Sequence, residues 1–182
     1  MALLHSEPVK LGSKAPDFNL PSVDGARYTL GKFRDKILVV MFICNHCPYV
    51  KAIEDRILQL VRDFENRGVA FVGICSNDFV NYPDDSPESL KARWVEKKYG
   101  FPYLVDEDQS VARSYGAVCT PDLFVYNSKH ELAYHGRLDD NWQEPAKVKQ
   151  SDLRASLEAL LKGITPSAAQ VSSMGCSIKW KL

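Results

Sequence analysis

The apolar run Ile37-Leu38-Val39-Val40-Met41-Phe42-Ile43 is broken at once by Cys44-Asn45-His46-Cys47-Pro48. Its β-branched content marks it as a buried strand. Pro48 is tolerated in the first turn of a helix. Beyond it, Val50, Ile53, Ile57, Leu60, Val61 and Phe64 recur at helical spacing. Two cysteines are therefore expected where a central strand turns into a helix, with Cys44 near the helix N-terminus. Unpaired N–H groups and a partial positive charge at that end favour a thiolate over a thiol.

The rest of the chain supports an alternating fold. Residues 1–15 read as a loose lead-in. Residues 18–30 hold Asp24-Gly25 between short apolar runs, a hairpin signal. Residues 69–75 read as a second buried strand and residues 76–85 as a polar loop. Ser86-Pro87 opens a helix by cap and first-turn chemistry, with Gly100 as its stop. A short strand at 103–105, a short helix at 109–115 and a hairpin of 122–126 with 131–137 follow. A last helix begins at Ser151 and stops at Gly163. The expected organisation is one domain over 1–163 and a polar tail over 164–182. A strand–helix–strand unit implies a parallel right-handed crossover, and the terminal hairpin adds antiparallel pairs. The fold class is a three-layer α/β/α arrangement around a mixed sheet.

Composition narrows the function classes. Lys and Arg number 23, as do Asp and Glu, so no basic surplus points to nucleic acid or to an anionic membrane surface. Residues 1–10 carry no apolar run of signal-peptide length, and no later segment approaches a membrane span. A cytoplasmic location is the expectation. Five cysteines are too few for a disulfide-built scaffold. In a reducing compartment a Cys-x-x-Cys pair is reactive or metal-binding.

This order of elements, with Cys44 and Cys47 at the first strand-to-helix junction and Thr120-Pro121 opening the last hairpin, resembles the thioredoxin superfamily. The opening Gly12-Ser13-Lys14-Ala15-Pro16-Asp17-Phe18 is similar to the entry of its AhpC/TSA–redoxin branch, which holds the peroxiredoxins and the TlpA/ResA-like thiol–disulfide oxidoreductases. Cys44-Asn45-His46-Cys47-Pro48-Tyr49-Val50, Tyr134-His135-Gly136-Arg137-Leu138-Asp139-Asp140 and Gly175-Cys176-Ser177-Ile178-Lys179-Trp180 resemble one bacterial thioredoxin-like group within it.

The resemblance implies a thiol–disulfide oxidoreductase with no organic cofactor, exchanging electrons with protein dithiol or disulfide partners as a monomer or weak dimer. Cys44 is then the exposed nucleophile and Cys47 the resolving thiol. His46 adds a donor or a positive charge beside Cys44. A nucleophile pKa lowered from ~8.5 to ~5 stabilises the reduced form at pH 7 by about 2.7 kcal/mol, roughly 60 mV toward the oxidising side. Thr120-Pro121 is expected to be cis, with Thr120 lending backbone groups to a bound strand. Cys119 is either a third redox thiol or a small apolar filler. Cys176 is a second resolving thiol, a protector of the pair, or an exposed tail residue. Arg137 either depresses a thiolate pKa or pairs with Asp139 and Asp140.

Two departures from the branch matter. Peroxiredoxins place a threonine three residues before the reactive cysteine, where this chain has Met41; an antioxidant peroxidase is thus the alternative reading. Thioredoxins bury an aspartate in the first core strand, and residues 37–43 hold no carboxylate, so a base for Cys47 must come from elsewhere. A copper- or zinc-binding module is the alternative of another class. His5, His130 and His135 show no metal-ligand spacing to one another, and no second Cys-x-x-Cys completes a zinc site.

Overall fold

The computed structural model describes residues 3–181. Its elements are β1 (Leu3–His5), β2 (Asn19–Pro21), β3 (Arg27–Thr29), β4 (Ile37–Phe42), α1 (Pro48–Phe64) and β5 (Val69–Cys75). Then come α2 (Pro87–Glu96), β6 (Tyr103–Val105), α3 (Ser110–Tyr115), β7 (Cys119–Thr120) and β8 (Asp122–Tyr126). β9 (Leu132–Gly136), α4 (Asp152–Leu161) and β10 (Met174–Ser177) complete it.

Five strands form the central sheet in the order β6-β5-β4-β8-β9. β4 is parallel to β5 and antiparallel to β8. Every residue of β4 is buried, which is why its sequence does not alternate: both faces are covered. Val39 and Met41 face a core shared with α1, Leu90 of α2 and Leu153 and Leu157 of α4. Leu38, Val40 and Phe42 face a second core with Val111, Ala112 and Tyr115 of α3. This two-sided burial is the three-layer α/β/α fold.

The apolar stripe of α1 (Val50, Ile53, Ile57, Leu60, Val61 and Phe64) is wholly buried. At ~1.5–3 kcal/mol per side chain, it contributes roughly 10 kcal/mol before ordering entropy is subtracted. That burial holds the start of α1 firmly against the end of β4.

Three local differences from the sequence expectation affect the site or its surroundings. α1 begins at Pro48 with Cys47 as its N-cap, which leaves Cys44 outside the helix. α2 ends at Glu96, short of Gly100, because Lys98 turns left-handed with φ 53°. The lead-in is also not loose, and it is paired with the tail. β1 pairs with β10, and β10 pairs with β7, in a small antiparallel sheet. Strands of two to four residues carry too little periodicity to be read locally; only long-range pairing reveals them.

Candidate active site

The loop between β4 and α1 is pinned from the far side of the sheet end. Asp85, in a short 3-10 turn ahead of α2, accepts the backbone N–H of Asn45 at 2.7 Å and of His46 at 3.2 Å. The Asn45 amide donates to the carbonyls of Asp84 and Ser89, both at 3.0 Å. Ser86 caps α2 by accepting the N–H of Ser89. The expected polar loop is therefore the clamp that shapes the cysteine turn.

The two thiols of the turn act on each other. Thr120 touches both: its Oγ1 lies 3.3 Å from Cys44 Sγ and its carbonyl oxygen 3.1 Å from Cys47 Sγ. The Thr120-Pro121 bond is cis. Cys44 is 2% exposed and Cys47 fully buried, so the expectation of an exposed Cys44 is corrected. Strand β10 of the tail lies along β7, with Cys176 opposite Thr120.

Charge on the pair is also placed differently from the sequence reading. Burial pushes the Cys44 thiol well above its usual range, helped by its bond to Cys47 and by the carboxylate of Asp85. Cys47 is held down at about 5. Its sulfur receives the Cys44 thiol, and against the cost of burial it also receives the Cys176 thiol and the backbone N–H groups of Val50 and Cys176. The Thr120 carbonyl opposes this, since it accepts from a thiol and repels a thiolate. The N-cap position adds the helix end's positive potential, which falls on Cys47 as the residue that caps the helix.

His46 does not act on sulfur as an isolated cation. Its Nδ1 lies 2.5 Å from Asp85 Oδ2, and its ring stacks on Tyr82 at 5.4 Å. Although burial works to raise it, Asp85 stays below the usual carboxylate range through bonds from His46, Asn77 and the Asn45 N–H. Cys44, His46 and Asp85 each bring a ligand-type atom within 4.8 Å of the others. Yet Asp85 spends Oδ1 on two backbone donors and Oδ2 on His46 and Asn77. A cation there would have to displace bonds that shape the loop, so the donor set does not fit a metal centre.

The remaining predicted residues separate. Cys176 is 2% exposed, its thiol pushed up to about 12 by burial and by Cys47. Cys119 is fully buried; burial raises its thiol, and its sulfur lies 3.8 Å from the Pro121 carbonyl. Arg137 is bonded through Nε to Asp152 of α4 at 2.6 Å, not to Asp139 or Asp140. Asp139 takes Arg56 of α1 instead, and Asp140 accepts the Lys149 N–H at 2.9 Å. The reach from β9 to α4 could not be read from sequence distance alone.

Two groups escaped the sequence reading. Asp85 sat in a stretch read only as loop; the acidic Asp84-Asp85 before a helix cap was its one signal. Asp122, beside Pro121, is fully buried and bonded to His135 at 2.8 Å. Burial raises its carboxyl despite that partner. A cleft of about 460 Å³ opens beside Pro121, walled by Tyr49, Arg137, Trp142, Val171 and Met174.

The family model described as "AhpC/TSA family" matches residues 11–135. The chain belongs to the AhpC/TSA family. This AhpC/TSA protein is 20% identical over 160 residues to the thiol-disulfide oxidoreductase ResA of Bacillus thuringiensis subsp. konkukian, covering 88% of this chain and 82% of ResA. It is 27% identical over 131 residues to the peroxiredoxin Bcp of Escherichia coli, covering 70% and 78%. A crystal structure of an uncharacterized conserved protein from Geobacillus kaustophilus superposes with TM-score 0.94 at 43% identity, covering 100% of this chain and 97% of that one. The thioredoxin domain of a thiol-disulfide oxidoreductase from Bacteroides vulgatus superposes with TM-score 0.67 at 18% identity, covering 85% and 99%. The AhpC/TSA protein thus has the thioredoxin-like fold of the superfamily's redoxin branch.

Proposed function

We propose that this protein is a thiol–disulfide oxidoreductase acting on protein dithiols and disulfides through Cys44 and Cys47. The observation that carries the reading is the pair of cysteines at the start of α1 whose sulfurs are both touched by Thr120. The similarity to ResA supports it.

In the reducing direction, Cys44 passes its proton to the Cys47 thiolate as its sulfur attacks one sulfur of the partner disulfide. The partner S–S bond breaks and one partner sulfur leaves as a thiolate. That thiolate takes up the proton as Cys47 attacks Cys44, which releases the second partner sulfur as a thiolate and closes Cys44–Cys47. The partner gains two electrons and the pair loses two. Cys47 carries its own stabilising donors, so the carboxylate base absent from β4 is not required.

Dithiothreitol-driven reduction of insulin tests the reading. The wild type is expected to accelerate it, and Cys44→Ser and Cys47→Ser to fall to background. Full activity in Cys44→Ser would overturn it. The similarity to Bcp favours a second reading, a thiol peroxidase. Against it, Met41 is fully buried in β4 and brings no hydroxyl to a peroxide. Hydrogen peroxide consumption with a dithiol donor is expected to stay at the uncatalysed rate, and turnover abolished by Cys44→Ser would favour the peroxidase.

A further inference from the structure

We propose that Cys176 is a third exchanging thiol, and that the disulfide of the oxidised protein shifts between Cys44–Cys47 and Cys47–Cys176. The proposal rests on the function proposed above and adds a residue to the same site.

Cys47 is the middle sulfur of three. Its Sγ meets the Thr120 carbonyl at 3.1 Å, Thr120 Oγ1 meets Cys44 Sγ, and Cys176 of β10 stands opposite the same Thr120, so one residue of β7 brings the three cysteines together. Thiol–disulfide exchange needs an attacking sulfur that reaches the central sulfur opposite the leaving one, and the three cysteines gathered at Thr120 supply attacking, central and leaving sulfurs within one chain. All three cysteines belong to the same buried core.

The tail holds Cys176 in place from both sides. Cys176 stands opposite Thr120 of β7 and opposite Leu3 of β1. Gly175 has no side chain at the one point where it could not: a Cβ would lie 1.9 Å from the Thr120 carbonyl oxygen. Before the strand, Ser173 donates to the Gly136 carbonyl at 2.6 Å. After it, the Ile178 N–H donates to Val118 at 2.9 Å, and the Lys179 N–H to Asn77 at 2.8 Å. Trp180 lies under the Arg113 guanidinium at 4.3 Å. A tail serving only as a cover has no need of a sulfur at the position facing Cys47.

The step balances within the chain. The Cys176 thiol loses its proton and its sulfur attacks Cys47 Sγ. The Cys47–Cys176 bond forms, the Cys44–Cys47 bond breaks, and the electron pair leaves on Cys44, which takes up a proton. No electrons enter or leave. The ratio of the two disulfide isomers is therefore independent of the redox poise.

Full-length protein equilibrated in mixtures of reduced and oxidised dithiothreitol, acid-quenched, alkylated and mapped by mass spectrometry tests this. Both disulfides are expected in the wild type, at one ratio across all mixtures. Cys44→Ser is expected to form Cys47–Cys176, and Cys176→Ser or Cys176→Ala only Cys44–Cys47. If neither the wild type nor Cys44→Ser forms Cys47–Cys176 while the Cys176 variants form Cys44–Cys47, the third thiol is overturned and the pair stands. If the Cys176 variants and the wild type form no Cys44–Cys47 bond, the pair reading fails, and the shift that depends on that bond fails with it.

Discussion

His46 and Asp85 meet at 2.5 Å, so the histidine inside the cysteine turn is answered by a carboxylate before its field reaches sulfur. The same carboxylate works to raise the Cys44 thiol. A double-mutant cycle therefore separates pair from parts. Asp85→Asn removes the opposing charge, stabilises the thiolate form and is expected to shift the Cys44–Cys47 potential to the oxidising side, on the order of 30 mV. His46→Ala leaves Asp85 alone and shifts it as far toward the reducing side. The double variant should return near the wild type. Equal and additive shifts of one sign would contradict the cancellation.

Asp85 also holds the loop, so its loss costs stability. Asp85→Ala strips the acceptor from Asn45, His46 and Asn77, and about 3–5 kcal/mol is expected for breaking a buried ion pair from one side. Its folded pKa is lowered. Its contribution is accordingly complete above the unfolded carboxylate pKa of about 3.9 and is lost as pH falls through the folded value. Urea denaturation of wild type and variant over acid pH should show the difference shrinking as pH drops, and a constant difference would count against it.

The low Cys47 pKa is directly observable. Thiolate absorbance at 240 nm in the reduced protein should titrate with a midpoint at about 5 and vanish in Cys47→Ser. A midpoint that survives in Cys47→Ser and disappears in Cys44→Ser would move the charge to the other sulfur. The sign for stability follows from linkage. Between about 5 and the unfolded thiol value the folded state binds fewer protons, so reduced protein gains stability as pH rises through that window and loses the contribution below it.

Thr120→Val keeps the shape of the residue and its carbonyl but removes the hydroxyl 3.3 Å from Cys44. That bond serves the reduced sulfur. Its loss, about 1 kcal/mol, is expected to make the pair more reducing by about 20 mV, measured against a dithiothreitol couple. No shift, or one to the oxidising side, would remove Thr120 from the tuning of Cys44.

Much of this architecture was legible in the chain itself. Residues 37–43 announce a strand covered on both faces because nothing polar interrupts them, and α1 announces itself by six apolar residues at helical spacing. The Cys-x-x-Cys junction and Thr120-Pro121 are local motifs and could be read as such. Local sequence also determined that Cys47 sits close to a helix end, since Pro48 follows it.

Tertiary structure alone decided how that junction is used. Asp85 reaches His46 across 39 positions and β10 reaches β7 across more than 50, and short strands and single carboxylates leave no periodic trace by which such distant partners can be found. The exposure of Cys44 and the sulfur that bears the charge depend on those partners. Burial and hydrogen-bond donors set a pKa through space, whereas sequence order reports only neighbours along the chain.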